Sequence, residues 1–240
     1  MTRRTTLLLG WTLALLAIAA FLRLGFWQSS RATEKQLMLQ TTERVLSARV
    51  PVPLSQAADR ERSLDYDWSA GPGRFDDGAP LLLDNQQRGG RSGVRVYRVF
   101  VPEQTQGPLL VDLGWLQLPL DRTLPRVAQV PGRVELRGLL APPPSTGIAM
   151  GPSLQRQGDA WLMARLDLVE IAARTGLSVP LAPRVLRLDP ALPIGYPRDL
   201  ALLANTLPPD KHRGYALQWF ALALAVFVTA LVVSRPRTSA

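Results

Sequence analysis

Apolar residues gather at the two ends of this chain and alternate with polar ones in between. Leu7 to Leu22 run without a charge, and Tyr215 to Ser234 form a second uncharged stretch. At about 1.5 Å per residue the second is about 30 Å long, the hydrocarbon thickness of a bilayer. The pattern predicts two transmembrane helices. Arg3 and Arg4 precede the first, and Arg235 and Arg237 follow the second. Arginines in those places predict two cytoplasmic termini and an extracytoplasmic middle. Lys211 and Arg213 lie on the opposite side, but a long loop translocates largely regardless of its charge. The first stretch has a rival reading as a signal peptide cleaved near Ala17-Ile18-Ala19. The expected organisation is a tail and first span at 1–22, an extracytoplasmic domain at 23–214, a second span at 215–234 and a cytoplasmic tail at 235–240.

Past Arg23 the helical period continues, so 23–44 reads as a helical extension. Leu24, Trp27, Gln28, Arg31, Lys35 and Met38 fall within one arc of about 100°. One reading docks this mixed face on the following domain, with Arg31 stacked near Trp27. The other makes it a surface for an anionic ligand or a partner. From Val45 onward strand signals dominate. Leu64, Tyr66 and Trp68 alternate before Gly71-Pro72-Gly73, read as a turn, and Ala79 to Asn85 and Val94 to Val101 are apolar runs separated by a Gly89–Gly93 turn. Leu109 to Leu113, Gly132 to Arg137 and Arg184 to Asp189 complete the strands. Ala141 to Pro152 reads as a proline-rich loop. Asp167 with Glu170, then Gly176, start and stop one short helix over Leu168 to Thr175. The fold class expected is an α+β membrane protein, with two transmembrane helices flanking a mostly β domain, a small sheet or barrel carrying one short helix.

Composition narrows the chemistry. The net charge is +9, but acidic and basic residues are interspersed through the middle, with no basic stripe of the kind that tracks phosphates. Nucleic acid is not an expected partner; the lipid bilayer is. There is no cysteine and a single histidine, His212. Disulfides, thiolate chemistry and ordinary zinc sites are therefore excluded, and no phosphate-binding loop or nucleophile elbow is present. Asp65/Asp67 and Asp76/Asp77 read as solvated turn carboxylates. No catalytic residue is assigned, and an enzyme is not expected.

His212 stands just before the second apolar stretch, with Tyr215 and Trp219 at helical spacing beyond it. The plain reading is an interfacial belt of amphipathic rings. A haem site is chemically compatible: neutral imidazole ligates iron, Lys211 and Arg213 suit propionates, and the aromatic rings suit the macrocycle.

Two segments resemble the Surfeit locus protein 1 family. Leu24, Gly25, Trp27, Gln28, Arg31 and Lys35 match its Leu-Gly-x-Trp-Gln-x-x-Arg-x-x-x-Lys-x-x-Leu signature, with Met38 in the last place. His212, Tyr215, Ala216, Trp219, Phe220, Leu222 and Ala223 match its second signature, Asn-Asn-His-x-x-Tyr-Ala-x-x-Trp-Phe-x-Leu-Ala. Gly73-Arg74-Phe75-Asp76, Leu82-Leu83-Asp84-Asn85 and Leu110 to Trp115 resemble its centre. Asp210-Lys211 departs from the paired Asn, and Asp112-Leu113 from an Asn-Arg pair, so any contact made by that arginine is missing here.

The resemblance implies a non-enzymatic assembly factor for cytochrome c oxidase, in a bacterial inner membrane with the central domain periplasmic. It implies help in delivering haem a to the catalytic subunit, with that subunit and haem a synthase as partners. His212 would be the iron ligand, Lys211, Tyr215 and Trp219 its surroundings, and Trp27, Gln28, Arg31 and Lys35 a partner or structural face. The rival reading is a scaffold that binds oxidase subunits without touching haem. A sensor is a third, disfavoured by the few residues left for a cytoplasmic output.

Overall fold

A computed structural model describes residues 3–103, 107–144, 153–202 and 207–235. The expected proline-rich loop lies mostly outside these residues. By packing, the chain falls into two compact units, Met1–Gln40 with Thr206–Ala240, and Thr41–Asn205.

The first unit is a helix pair. Helix α1 (Arg3–Ala48) runs unbroken through the first apolar stretch and the predicted extension, and past Val45, where strand had been expected. It stops where Arg49 takes a positive φ of 45°. The partner helix, named α3 below, spans Pro209–Ser234, so it begins two turns before the apolar stretch and includes His212. Proline opens it, where a missing N–H costs nothing. Both helices are long and apolar enough to cross a membrane.

The second unit is mostly β. Strands β1 (Val52–Pro53), β2 (Asp67–Phe75), β3 (Leu81–Arg88), β4 (Arg91–Pro102), β5 (Leu109–Gln117), β6 (Arg133–Ala141), β7 (Leu154–Gln157), β8 (Ala160–Met163) and β9 (Val185–Leu188) form one sheet in the order β1-β2-β6-β9-β5-β4-β3-β8-β7. It closes on itself, because β2 also pairs with β4 through Gly73↔Pro102, Arg74↔Val101 and Phe75↔Phe100. Strands β2, β6, β9, β5 and β4 thus make a small ring, and β3, β8 and β7 extend it from the other half of β4. Inward alternation fills one side with Phe75, Val96, Phe100, Val111, Leu136 and Leu186, and the two phenylalanine rings meet edge to face at 5.1 Å. The other side buries Leu81, Tyr97, Val99, Leu110 and Met163 with Ile171 of the short helix α2 (Leu168–Thr175).

Local signals placed α2 correctly. The Asp167 carboxylate accepts from the Val169 and Glu170 N–H groups, both at 3.1 Å, and Gly176 ends the helix at φ 73°. Glu170, however, does not complete a capping box; its carboxylate accepts from the Ser153 hydroxyl. The Gly89-Gly90 pair turns β3 into β4 with both φ angles positive, as a tight hairpin requires. Gly71-Pro72-Gly73 is no turn. Strand β2 passes straight through it, paired with β6 from Asp67↔Leu140 to Arg74↔Arg133. Gly73 is needed there because a Cβ would lie 2.6 Å from the Phe100 ring, at the crossing where the ring of strands closes. The β7–β8 hairpin, two strands of four residues, was not expected from the sequence.

Candidate functional site

The two signature segments are two halves of one helix–helix contact. Gly25 of α1 takes the ring of Phe220 against its backbone; a Cβ at Gly25 would stand 2.5 Å from the Phe220 Cε1. Phe21 stacks on Trp219 at 5.6 Å between centroids, and Phe26 meets Phe220 edge-on at 5.3 Å. Small residues let backbones approach this closely without a hydrophobic driving force, and Ala32, 2% exposed, continues the same face one turn above Gln28.

That face is rotated from the one read off the sequence. Gln28 and Lys35 lie at its margin and reach α3 or the residues leading into it: Lys35 Nζ donates to the Leu207 carbonyl at 2.6 Å. Trp27 is 53% exposed, and Arg31 pairs with Glu34 at 2.6 Å instead of stacking on Trp27. The expected cluster therefore splits, with two members in the helix contact and two on the outside.

His212 is buried on α3, 7% exposed, in register with the buried Pro209, Ala216 and Ala223. Its Nδ1 is 2.6 Å from the Gln28 Oε1. Its Nε2 is buried with no hydrogen-bond partner. Burial first, and then the charges of Lys35 and Arg31, hold its pKa below the ordinary imidazole value, so the ring is neutral near pH 7. Burial and Arg31 likewise lower Lys35. Of the other residues named for this site, Trp219 is already stacked on Phe21, whereas Lys211 and Tyr215 are exposed. The structure thus joins His212 to Gln28, a partner that helical spacing alone did not suggest.

The central motif has a different character. Asp112, 3% exposed, receives Arg95 at 2.6 Å, the Gly114 N–H at 3.0 Å and Arg187 at 3.8 Å. Leu113 beside it is the extra residue of a β-bulge, since Val96 pairs with Gly114 and Tyr97 with Asp112. Burial, reinforced by Asp112, raises the pKa of the Tyr97 phenol. Asp67 was expected to be a solvated turn carboxylate. It instead accepts from the fully buried Arg184 at 2.6 Å and from Arg62 at 2.8 Å. Asp76 is a turn residue as read, accepting from the Gly78 N–H at 2.8 Å. Among the described residues no group of three His, Asp or Glu is placed to hold a metal ion.

A model of the SURF1 family matches residues 15–224, from within the first apolar stretch to beyond Phe220. A SURF1-like protein of Rickettsia felis is 27% identical over 229 residues, covering 92% of this chain and 95% of that one. Another from Rickettsia conorii is 26% identical over 231 residues, covering 93% and 90%.

Proposed function

Because the chain belongs to the SURF1 family, we propose that it is a membrane-anchored, non-enzymatic assembly factor for cytochrome c oxidase that handles haem a through His212. The observation that carries this reading is the bare Nε2 of His212: a neutral imidazole, held at Nδ1 by Gln28, with its second nitrogen buried and unpartnered. An orphaned acceptor of this kind costs stability in a purely structural site. It suits a residue whose nitrogen is used for something else.

The donor set fits a haem. His212 would hold the iron through its imidazole nitrogen, and the exposed Lys211 and Tyr215 would be placed to meet propionates and macrocycle. Bound there, the group supplies an iron centre for transfer; the chain's own part is to hold and release it. Because Nε2 is buried, the first turns of α3 would have to ease away from α1 before the His212 imidazole could hold such a group. Loose tenure is what a delivery protein needs.

Membrane anchoring is supported by the outer faces of the helix pair. Leu8, Leu13, Leu16, Leu217 and Leu224 are each more than half exposed, so no protein core covers them. A helix apolar on its outward side, at this length, matches a bilayer. The flanking arginines support termini on the cytoplasmic side and a periplasmic β domain in a bacterial inner membrane.

Exposed Trp27 and Arg31 favour a second role beside the first: contact with the oxidase catalytic subunit or haem a synthase, in the extreme a scaffold that touches no haem. The two readings separate cleanly. Full-length chain purified from cells that make haem a should carry a Soret band that His212→Ala abolishes. Equal haem retention by the variant would remove the site. A pure scaffold predicts instead that oxidase subunits co-purify with His212→Ala and are lost with Arg31→Glu.

A further inference from the structure

We propose that Gln28 is the positioning residue of His212, fixing its tautomer so that the proton sits on Nδ1 and the lone pair on Nε2. The inference rests on the reading of His212 as a haem ligand and adds the residue that prepares it.

The argument starts from donor and acceptor counts. The Gln28 atom facing the ring is the amide oxygen, 2.6 Å from Nδ1. A carbonyl oxygen only accepts, so Nδ1 must donate. A neutral imidazole has one ring proton, and with it on Nδ1 the other nitrogen is a bare acceptor. That is the nitrogen the structure leaves buried without a partner. Metal-bound histidines are oriented in this way, the far ring N–H given to a carbonyl or carboxylate.

The surroundings hold the pair in place. On α1, Gly25 is pressed by the Phe220 ring one turn before Gln28, and Ala32 is buried one turn after it. On α3, Pro209 and Ala216 are buried on either side of His212. The nearby cations are engaged elsewhere: Lys35 donates to the Leu207 carbonyl, and Arg31 pairs with Glu34. Neither competes for Nδ1. A mere interhelical contact would need a hydrogen bond of either polarity; a ligand needs this one.

His212 is the single histidine of the chain, so its two ring nitrogens can be read without ambiguity. The full-length protein, labelled with 15N-histidine, free of histidine tags and held in lipid nanodiscs, should show an Nδ1-bound proton and an unprotonated Nε2. Gln28→Glu keeps an acceptor at the same reach and should keep the proton on Nδ1. Gln28→Leu should lose it, moving the proton wholly or partly to Nε2. Haemin, titrated as the probe, should bind about 10–100-fold more weakly to Gln28→Leu than to the wild type, with Gln28→Glu close to wild type.

Should Gln28→Leu not fold, the wild-type and Gln28→Glu spectra still decide. An Nε2-bound proton in the wild type, as the reversed amide would impose, overturns the proposal. So does an Nδ1 proton that survives Gln28→Leu. Tautomers that behave as expected, with haemin affinity unchanged in both Gln28→Leu and His212→Ala, support the positioning role and defeat the haem reading instead.

Discussion

Asp112 and His212 are both polar side chains sealed from solvent, and the chain treats them in opposite ways. The carboxylate of Asp112, within the β unit, is met by Arg95, Arg187 and a backbone N–H. The imidazole of His212, within the helix pair, has one bond and one bare nitrogen. Buried charge is tolerated when every lone pair is answered. Asp112 is answered, and so reads as architecture. His212 is half answered: its Nε2, like the Nε atoms of Arg95, Arg98 and Arg184, is buried without a hydrogen-bond partner, and such a group calls for an explanation of its own.

The largest effect should come from breaking the satisfied site. Asp112→Ala strands two arginines whose side chains are 18% and 12% exposed. A loss of about 3–5 kcal/mol is expected, read as a lowered midpoint in thermal unfolding of the detergent-solubilised chain. A loss below about 1 kcal/mol would show that the cluster is not the closed unit described here.

Overpacking the helix contact comes next. Gly25→Leu drives a side chain into the space of the Phe220 ring and should cost about 1–3 kcal/mol, recovered in part by Phe220→Ala. Gly10 is the control on the same helix. A Cβ there meets nothing within 4 Å, so Gly10→Leu should be nearly silent. Equal effects of the two substitutions would mean that the Gly25–Phe220 packing does not hold the pair together.

The unfinished site should be nearly neutral to stability. His212→Leu removes an unpaired nitrogen along with its one bond, and the half-buried Gln28 can turn to solvent, so a change within about 1 kcal/mol is expected. Haem retention should fall nonetheless. Stability without function in this variant, against function-independent collapse in Asp112→Ala, is the contrast in its sharpest form.

The smallest effect is in pH. His212 has a folded pKa below its unfolded value of about 6.5. The unfolded chain therefore takes the proton first, and stability is lost as pH falls below about 6.5 toward the folded value. Asp189 also has a lowered pKa: burial would raise it, and the hydrogen bond from Arg137 with further donors and charges outweighs that. Its contribution is present above about 3.9 and is lost only as pH falls below that value. The helix pair should thus lose stability as pH falls below about 6.5, and His212→Leu should flatten that slope while leaving the acid limb below about pH 4, which belongs to the β unit, in place.

Much of this was legible locally. Uninterrupted apolar runs, an Asp cap and a left-handed glycine are short-range signals, and they placed both long helices and α2. Gly71-Pro72-Gly73 misled because its composition says turn, while its position at the closing crossing of the ring requires a small residue in a strand. The β7–β8 strands are too short for alternation to register. Asp67 looked solvated because Arg184, which buries it, is 117 residues away. His212 stood out as a solitary imidazole, and Gln28 stood in a second motif. Their pairing across 184 residues is a property of helix packing that no local pattern carries.

The central claim, that His212 is the point at which the chain serves haem a delivery, is tested most directly in membranes lacking the native gene. Complementation with the wild-type chain or with His212→Ala is followed by the reduced-minus-oxidised spectrum of the membranes. The account predicts that the wild type restores the haem a band of the oxidase and that His212→Ala, present at equal level, does not. Full restoration by His212→Ala, or an undiminished haem a band without the gene, would contradict it.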